Sequence, residues 1–218
     1  MTDKAADASP RPSTPPRRGR RPAGEVRRDV LDATSTLLRD GGFRAVTFER
    51  VAAQSGASKT TIYKWWASPG TLAAEAYFDQ SAAELAFADS GDVFTDIGRQ
   101  LRAFVRLIIA RGGGRIISEL IGAAQTDPEV AAAVSEKYTA PRRRLAVEYF
   151  RLATFRGQIR PEVDPDMLVD QLWGACYHRL LIPDAPLDEA FADALVLNAL
   201  RGAATPEYAA THPGLTPR

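Results

Sequence analysis

Between Val46 and Trp66 the chain reads VTFERVAAQSGASKTTIYKWW, two short apolar-faced segments that meet at Gly56, and this stretch restricts the fold more than any other. Thr47 is a preferred helix N-cap, and Glu49 complements the positive end of the helix that follows. Phe48, Val51 and Ala52 then fall at i, i+3 and i+4, giving one stripe to bury. Ser55 and Gly56 break the period where a sharp turn is needed, because glycine takes a positive φ without steric cost. A second helix starts at Ser58. Ile62 is its strongly apolar inward position, which leaves Lys59, Thr60, Thr61, Tyr63 and Lys64 pointing outward. Paired threonines are a poor choice for a bare helix surface, but their hydroxyls and methyls suit contacts with bases and phosphates. The pattern is that of a helix-turn-helix, with an ordinary surface helix as the plainer alternative.

A further helix precedes it, in which Val26, Val30, Leu31, Thr34, Leu37 and Leu38 keep a helical period until Asp40-Gly41-Gly42 supplies a stop. Three helices in about forty residues make a compact DNA-binding module. The stretch GFRAVTFERVAAQSGASKTTIYKWWASPGTL, Gly42 to Leu72, resembles without a gap the signature of the TetR family of transcriptional repressors (TetR/AcrR type), GFxxxTxxxIAxxAGVSxGTLYxHF running into xSKExL. The resemblance implies roles residue by residue: Thr47 on a phosphate, Ser58, Lys59, Thr60 and Thr61 at or near base edges, and Tyr63 and Lys64 on the DNA backbone. Trp65 stands where relatives often carry a phosphate-touching His, and Trp66 occupies a Phe position expected in the core. The chain departs from the pattern at Pro69 and Gly70, where the family usually has Lys after the Ser. That phosphate contact is absent or supplied elsewhere, and Pro69 still suits the start of a helix.

Charge is concentrated at the same end. Residues 1–66 hold 13 Lys or Arg against 7 Asp or Glu, a net of +6, so the chain total of +1 leaves the remainder at −5. Much of the excess lies in residues 1–22, which contain five prolines, few apolar side chains, and Arg17, Arg18, Arg20 and Arg21. Such a composition buries too little surface to fold. It reads as a disordered basic arm that reaches into a minor groove or along the backbone, or else as a solvated tail adding general attraction. No apolar signal core opens the chain and no uncharged stretch reaches membrane-spanning length, so a cytoplasmic protein without membrane contact is expected. The single cysteine, Cys176, leaves no intrachain disulfide and no zinc site built on several thiolates.

The DNA-binding module is expected over 23–68, a second helical unit over 69–203 and a flexible tail over 204–218. A fourth helix runs from Gly70 to about Ala88, with Leu72, Ala76, Ala83 and Leu85 as packing candidates. In the fifth, Val93, Ile97, Leu101, Phe104, Val105, Ile108 and Ile109 keep helical spacing until Gly112-Gly113-Gly114. A sixth covers Arg115 to Gln125. Asp127-Pro128 starts a seventh that Pro141 kinks or divides. Asp164-Pro165 opens an eighth reaching Leu181, and a ninth runs from Leu187 to Arg201. No segment sustains a period of two. The chain is therefore expected to be all-α, about nine helices, with an N-terminal three-helix helix-turn-helix domain and a C-terminal helical ligand-binding and dimerisation domain.

RPEVDPDMLVDQLWGACYHRLL, Arg160 to Leu181, resembles the C-terminal domain of one large branch of the family, where xDPxxxxxxxxGxxYxRLL recurs. In the family the last two helices make a homodimer, and the resemblance implies the same here. Leu168, Leu172, Gly174, Ala175 and Leu195 are the interface candidates, with ordinary core as the alternative. Tyr77, Phe78, Phe104, Ile108, Ile117, Ile121, Tyr149 and Trp173 are large side chains on helices four to eight, the part that encloses a cavity in relatives, and are the ligand-binding candidates; plain core is again the alternative.

Cys176 and His178 lie about 200° apart around a helix, too far to share a metal or act as nucleophile and base; a buried thiol and a hydrogen-bonded His are expected. His212, in a tail containing Pro and Gly, carries no signal. Arg142 to Arg144 read as a solvated charged face, with Arg144 placed to pair with Glu148, and an anionic-ligand or acidic-partner site as the alternative. Neither a catalytic constellation nor a metal or cofactor motif is present in the sequence, which disfavours an enzyme. The expectation is a dimeric repressor that holds a palindromic DNA operator, its half-sites about 34–36 Å apart, and is released by a small apolar or aromatic effector. A ligand-independent architectural or protein-tethering DNA binder, or an activator, are the alternatives.

Overall fold

Helix α1 (Ala23–Gly41) starts on Pro22, whose carbonyl accepts from the Glu25 and Val26 amides at 3.1 and 3.2 Å. The computed structural model describes residues 21–81 and 87–216. The arm before residue 21, and Ala83 and Leu85 of the expected fourth helix, lie outside the described residues. Along α1, Val30, Thr34, Leu37 and Leu38 are buried, and Thr34 Oγ1 donates to the Val30 carbonyl at 2.7 Å, which satisfies its hydroxyl. Gly42 ends the helix at φ 72°, a left-handed value that favours glycine.

A short 3-10 turn over Phe43–Ala45 leads into α2 (Phe48–Ser55). Thr47 Oγ1 caps it by accepting from the Arg50 amide at 3.2 Å, as the sequence predicts. Gly56 closes α2 in the left-handed region, and α3 (Lys59–Trp65) opens with Ser58 Oγ accepting from the Thr61 amide at 3.1 Å. Phe48, Val51 and Ile62 seal the three helices together.

Helix α4 (Pro69–Ser81) begins at the proline, as anticipated. Ser68 and Thr71 cap it reciprocally: each side-chain oxygen accepts from the other's amide at 3.2 Å. Leu72, Ala73, Ala74 and Ala76 are all fully buried, because α1 covers α4 on one side and the body on the other. Phe87 and Ala88, expected in the last turn of this helix, are outside it. The backbone there is taken by local bonds instead, from the Gly91 amide to Asp89 and from the Ser90 amide to Asp96.

The body continues with α5 (Val93–Ile109), capped by Asp92, and α6 (Gly113–Ala124), reached through Gly112 at φ 77°. Next come α7 (Pro128–Val134), a π-helical turn over Ser135–Thr139 and α8 (Ala140–Phe155). Backbone angles stay helical through Val134, Ser135, Thr139 and Ala140, so these three pieces form one rod that Pro141 does not divide. Proline has no N–H for the carbonyl one turn back, and the wider π turn ahead of it absorbs that mismatch. Helix α9 (Pro165–Leu181) has the expected span, and α10 (Glu189–Ala203) lies along α5. Among the described residues there is no strand, only an isolated pairing of Ile159 with Ala204.

Two expectations are corrected here. Leu168 and Leu172, expected at a dimer interface, are 3% and 1% exposed and belong to the protomer's own core. Helix α9 is apolar on more than one side, and its outward face carries Met167, Gln171, Gly174, His178 and Leu181 instead. Second, the segment after residue 203, expected as a flexible tail, folds back on the body. It forms α11 (Pro206–Ala210), capped by Thr205, and buries Leu215.

The clip that holds this tail is polar. Asp92 Oδ2 accepts from Tyr208 Oη at 2.5 Å and lies 2.9 Å from His212 Nε2, so His212 takes part in the fold after all. Burial works against the Asp92 charge, but hydrogen bonds from Thr95 and Tyr208, with His212 nearby, bring its pKa below the ordinary carboxylate value. A lowered carboxylate contributes stability that is complete above the unfolded value, about 3.9, and is lost as the pH falls through the folded value. Asp92→Asn is therefore expected to be less stable than the parent at pH 7, with the gap closing below about pH 4. Urea unfolding at both pH values measures this, and a gap that persists unchanged in acid would remove the carboxylate from the clip.

Candidate functional site

On α3 and its cap, Ser58, Lys59, Thr60, Tyr63 and Lys64 are exposed, while Thr61 and Trp65 are half-buried. Tyr63 is 57% exposed, yet its ring rests edge-on against Phe48 with centroids 4.6 Å apart, so an aromatic is held out rigidly from the surface. Thr61 Oγ1 sits 2.8 Å from Ser58 Oγ, which occupies both hydroxyls at the helix start and leaves Thr60 the outward one. Lys59 Nζ reaches Glu49 Oε1 of α2 at 2.9 Å, and that hydrogen bond lowers the Glu49 pKa. Thr47 is half-buried at the start of α2. Trp66 is core, as expected: its Nε1 donates to Glu75 of α4 at 3.0 Å and Arg27 of α1 lies over its ring at 4.7 Å. Trp65 packs edge-on against it at 5.6 Å.

A cavity of about 410 Å³ opens in the body between α5, the π turn with α8, and α9. Of the ligand-binding candidates, Phe104 and Trp173 line it. Phe78, Ile117 and Tyr149 are buried core, and Tyr77 and Ile121 are half-buried and packed against that core. Ile108 is also buried and borders a separate, open groove beside Leu180 and Pro183. The remaining wall comes from residues the periodicity did not single out, chiefly Phe87, Gln100, Tyr138, Arg142 and Tyr177. Ser135, Tyr138 and Thr139 reach the cavity because they lie on the π turn.

The arginine run is not a plain solvated face. Arg143 ties α8 to α9: its Nε donates to Asp166 at 2.9 Å, and its terminal nitrogens pair with Asp170. Asp170 and then Asp166 hold the guanidinium pKa above its ordinary value. Arg142 is half-buried with its guanidinium 4.9 Å from the centroid of the Tyr138 ring. Burial lowers its pKa, and the neighbouring tyrosines 138, 177 and 77 oppose that shift. Arg144 and Glu148, the pair expected at i, i+4, are both exposed. Burial pushes the Cys176 thiol up to about 12, against the pull of Arg179, which leaves an inert thiol. His178, expected to be hydrogen-bonded, is exposed on α9.

Residues 30–76 match the family model of bacterial regulatory proteins of the tetR family, and residues 87–199 match that of the tetracyclin repressor-like C-terminal domain. The chain belongs to the TetR family. Among its TetR-family relatives, the uncharacterized HTH-type transcriptional regulator YdeS of Bacillus subtilis strain 168 is 30% identical over 186 residues, covering 85% of this chain and 93% of that protein. The DNA-binding transcriptional repressor TetR of Mycobacteroides abscessus is 30% identical over 177 residues, 79% of this chain and 91% of that one. The crystal structure of the TetR family transcription regulator SCO0332 superposes with a TM-score of 0.75 at 57% identity, covering 82% of this chain and 98% of that one. This protein is thus a DNA-binding transcriptional regulator and not an enzyme. No helix among the described residues is long and apolar enough to cross a membrane.

The structure gives a packing reason for the glycine in the departure from the TetR pattern at Pro69-Gly70. A Cβ at Gly70 would lie 2.5 Å from Val130 Cγ2 of α7, so the first turn of α4 is pressed directly onto the body. A second grip lies alongside. Glu119 of α6 accepts from the Phe43 amide at 2.6 Å, and a Cβ at Gly42 would stand 2.8 Å from Glu119 Oε2.

Proposed function

We propose that this TetR-family regulator is an effector-controlled repressor that holds a palindromic operator as a homodimer and releases it when a small apolar or aromatic molecule fills the body cavity. The observation that carries this reading is the stacking of Tyr138 on Phe78, with centroids 3.9 Å apart and planes 10° apart. Tyr138 lines the cavity, and Phe78 belongs to α4, the helix on which the DNA-binding head sits. A ligand that moves Tyr138 moves α4, and with it the orientation of α3. An effector preferring the tilted state by about 1–3 kcal/mol weakens operator binding about 5- to 150-fold, and the operator weakens effector binding by the same factor. The cavity favours this over a ligand-independent DNA binder, whose body would be filled.

The dimer reading rests on the outward stripe of α9, where Met167, Gln171, Gly174, His178 and Leu181 follow one another at i, i+4, i+7, i+11 and i+14. Met167 and Leu181 are 54% and 45% exposed, large apolar surface of the kind a second copy would cover about a two-fold axis. Gly174 and Ala175 lie on the same helix, exposed and half-buried, and Leu195 of α10 is half-buried. Operator sites selected from a random duplex library are expected to be dyad-symmetric, with one protomer per half-site. The Met167→Lys, Leu181→Lys double variant should be a folded monomer that binds such a site at least about 100-fold more weakly, through loss of avidity. An asymmetric site occupied by single protomers would sink the reading.

A further inference from the structure

We propose that Arg17, Arg18 and Arg20 enter the DNA minor groove beside the half-site read by α3, and that the regulator thereby prefers A·T base pairs next to that half-site. This rests on α3 lying in the major groove, and neither on the effector nor on the symmetry of the operator. The observation that carries it is the place where the chain joins the head. Arg21 Nη1 donates to Asp29 Oδ2 of α1 at 2.7 Å, and a Cβ at Gly56, in the turn between α2 and α3, would stand 3.9 Å from Arg21 Nη2. The root of the arm is thus held against the turn of the helix-turn-helix. Gly56 precedes the α3 cap Ser58 by two residues, at most about 7 Å of chain, and in such a motif the N-terminal residues of the reading helix are the ones at base edges. The arm therefore departs at the groove edge and not from the far side of the head.

Reach and chemistry then select the minor groove. Major and minor grooves alternate every half turn, about 17 Å along a duplex whose full turn is about 34 Å. Arg17 is four residues ahead of Arg21, up to about 13–14 Å of extended chain before its own side chain is counted. A·T-rich minor grooves are narrow and strongly negative, which draws arginine into them, and a guanidinium is more weakly hydrated than an ammonium, so it gives up its water at lower cost. Gly19 stands between the two arginine pairs and has no side chain to hold the backbone off the groove floor. Asp3 and Asp7, the acids of residues 1–20, are ten or more residues from Arg17, so the stretch nearest the DNA is basic throughout. Arg21, already matched by Asp29, acts as the post that aims the arm.

The test is fluorescence anisotropy of the full-length protein on a duplex selected from a random library, with the base pairs beside each half-site changed to all A·T, all G·C or all inosine·C. Inosine lacks the guanine amino group of the minor groove but keeps the major-groove pattern of guanine, so it separates the two grooves. A·T and inosine·C flanks are expected to be bound alike, and at least about 10-fold more tightly than G·C flanks. The Arg17→Gln, Arg18→Gln, Arg20→Gln triple variant, which alters no residue of the described helices, should bind all three duplexes alike and show a salt slope smaller by about two to three. If the parent binds the three duplexes alike, if inosine·C flanks behave as G·C flanks do, or if the triple variant keeps the parent's preference, the inference is overturned and the arm adds general attraction only. The Thr60→Ala, Thr61→Ala, Tyr63→Ala variant checks α3 separately on the same duplexes. Loss of half-site binding there, with no flank effect in the parent, sinks the arm alone; half-site binding as tight as the parent's sinks the α3 reading, and the arm inference with it.

Discussion

Replacing Thr60, Thr61 and Tyr63 together with alanine is expected to weaken operator binding more than 100-fold while the protein stays folded. A well-made base contact discriminates by about 1–3 kcal/mol. Two base-edge losses at Thr60 and Thr61, with the loss of a backbone contact at Tyr63, together amount to about 3 kcal/mol, and about 1.4 kcal/mol is a factor of ten. The fold does not depend on these side chains. Thr60 and Tyr63 are exposed, and alanine is the better helix former. Thr61 loses its contact with Ser58 Oγ, but its amide still donates to that oxygen and keeps the cap. Lys64→Ala provides a contrast, because a phosphate contact lowers affinity for all sequences alike and reduces the salt slope by about one. Fluorescence anisotropy on selected and scrambled duplexes across a salt series separates the two. A triple variant that grips its site as tightly as the parent would mean that α3 does not lie in the major groove.

The head was legible in the sequence because its determinants are local. The cap at Thr47, the helix start at Ser58, the left-handed closure at Gly56 and the buried Ile62 each follow from neighbours within about one helical turn, and the structure has all of them. The body was legible as helices but not as a site. Whether Ile117 or Trp173 faces a cavity depends on which helix lies opposite, and spacing along one chain does not contain that. Helix α9 illustrates the limit: Leu168 and Leu172 form one apolar stripe and Met167 and Leu181 another, so periodicity alone left the inner one undecided. The π turn was hidden too, since only Pro141 hints at it, and with it went Tyr138 and Thr139. Arg142 was visible as charge but not as cavity wall. The fold of the tail is not legible in the sequence because Tyr208 and His212 find their partner Asp92 more than a hundred residues earlier.

The head and body are joined by contacts that leave little room to move independently. Gly70 brings α4 against Val130 at one end of the rod formed by α7, the π turn and α8, and Phe78 stacks on Tyr138 further along it. The rod that walls the cavity therefore touches α4 twice, about two turns apart. A displacement at the π turn, if the proposed effector produces one, would be passed on as a tilt of α4 rather than absorbed locally, because packed interiors resist compression. Under the proposed function, the regulatory leverage would lie in the π turn, the part of the rod whose hydrogen bonding departs from the α-helical pattern.

Asp96→Ala is expected to be the most destabilising single change near the site, about 3–5 kcal/mol, the cost of breaking a buried charged network by removing one partner. The Asp96 side chain is fully buried. Its carboxylate accepts from Tyr149 Oη at 2.6 Å, from the Ser90 amide at 2.7 Å and from Arg99 at 3.1 Å. Removing it strands the Tyr149 hydroxyl in the core and frees the chain that leads into α5, one turn from Gln100 in the cavity wall. Tyr149→Phe alone should cost about 1 kcal/mol, since the carboxylate keeps its other donors. The double variant should then be less destabilised than the two singles added together, by about 1 kcal/mol, because the stranded hydroxyl has gone with its partner. For a chain of this size about 1 kcal/mol moves Tm by about 2–4 °C, so Asp96→Ala should melt about 6–20 °C below the parent. Strict additivity in the cycle would show that Tyr149 and Asp96 do not act as a pair, and a fall in Tm of under about 3 °C would show that the carboxylate is not the anchor of this corner.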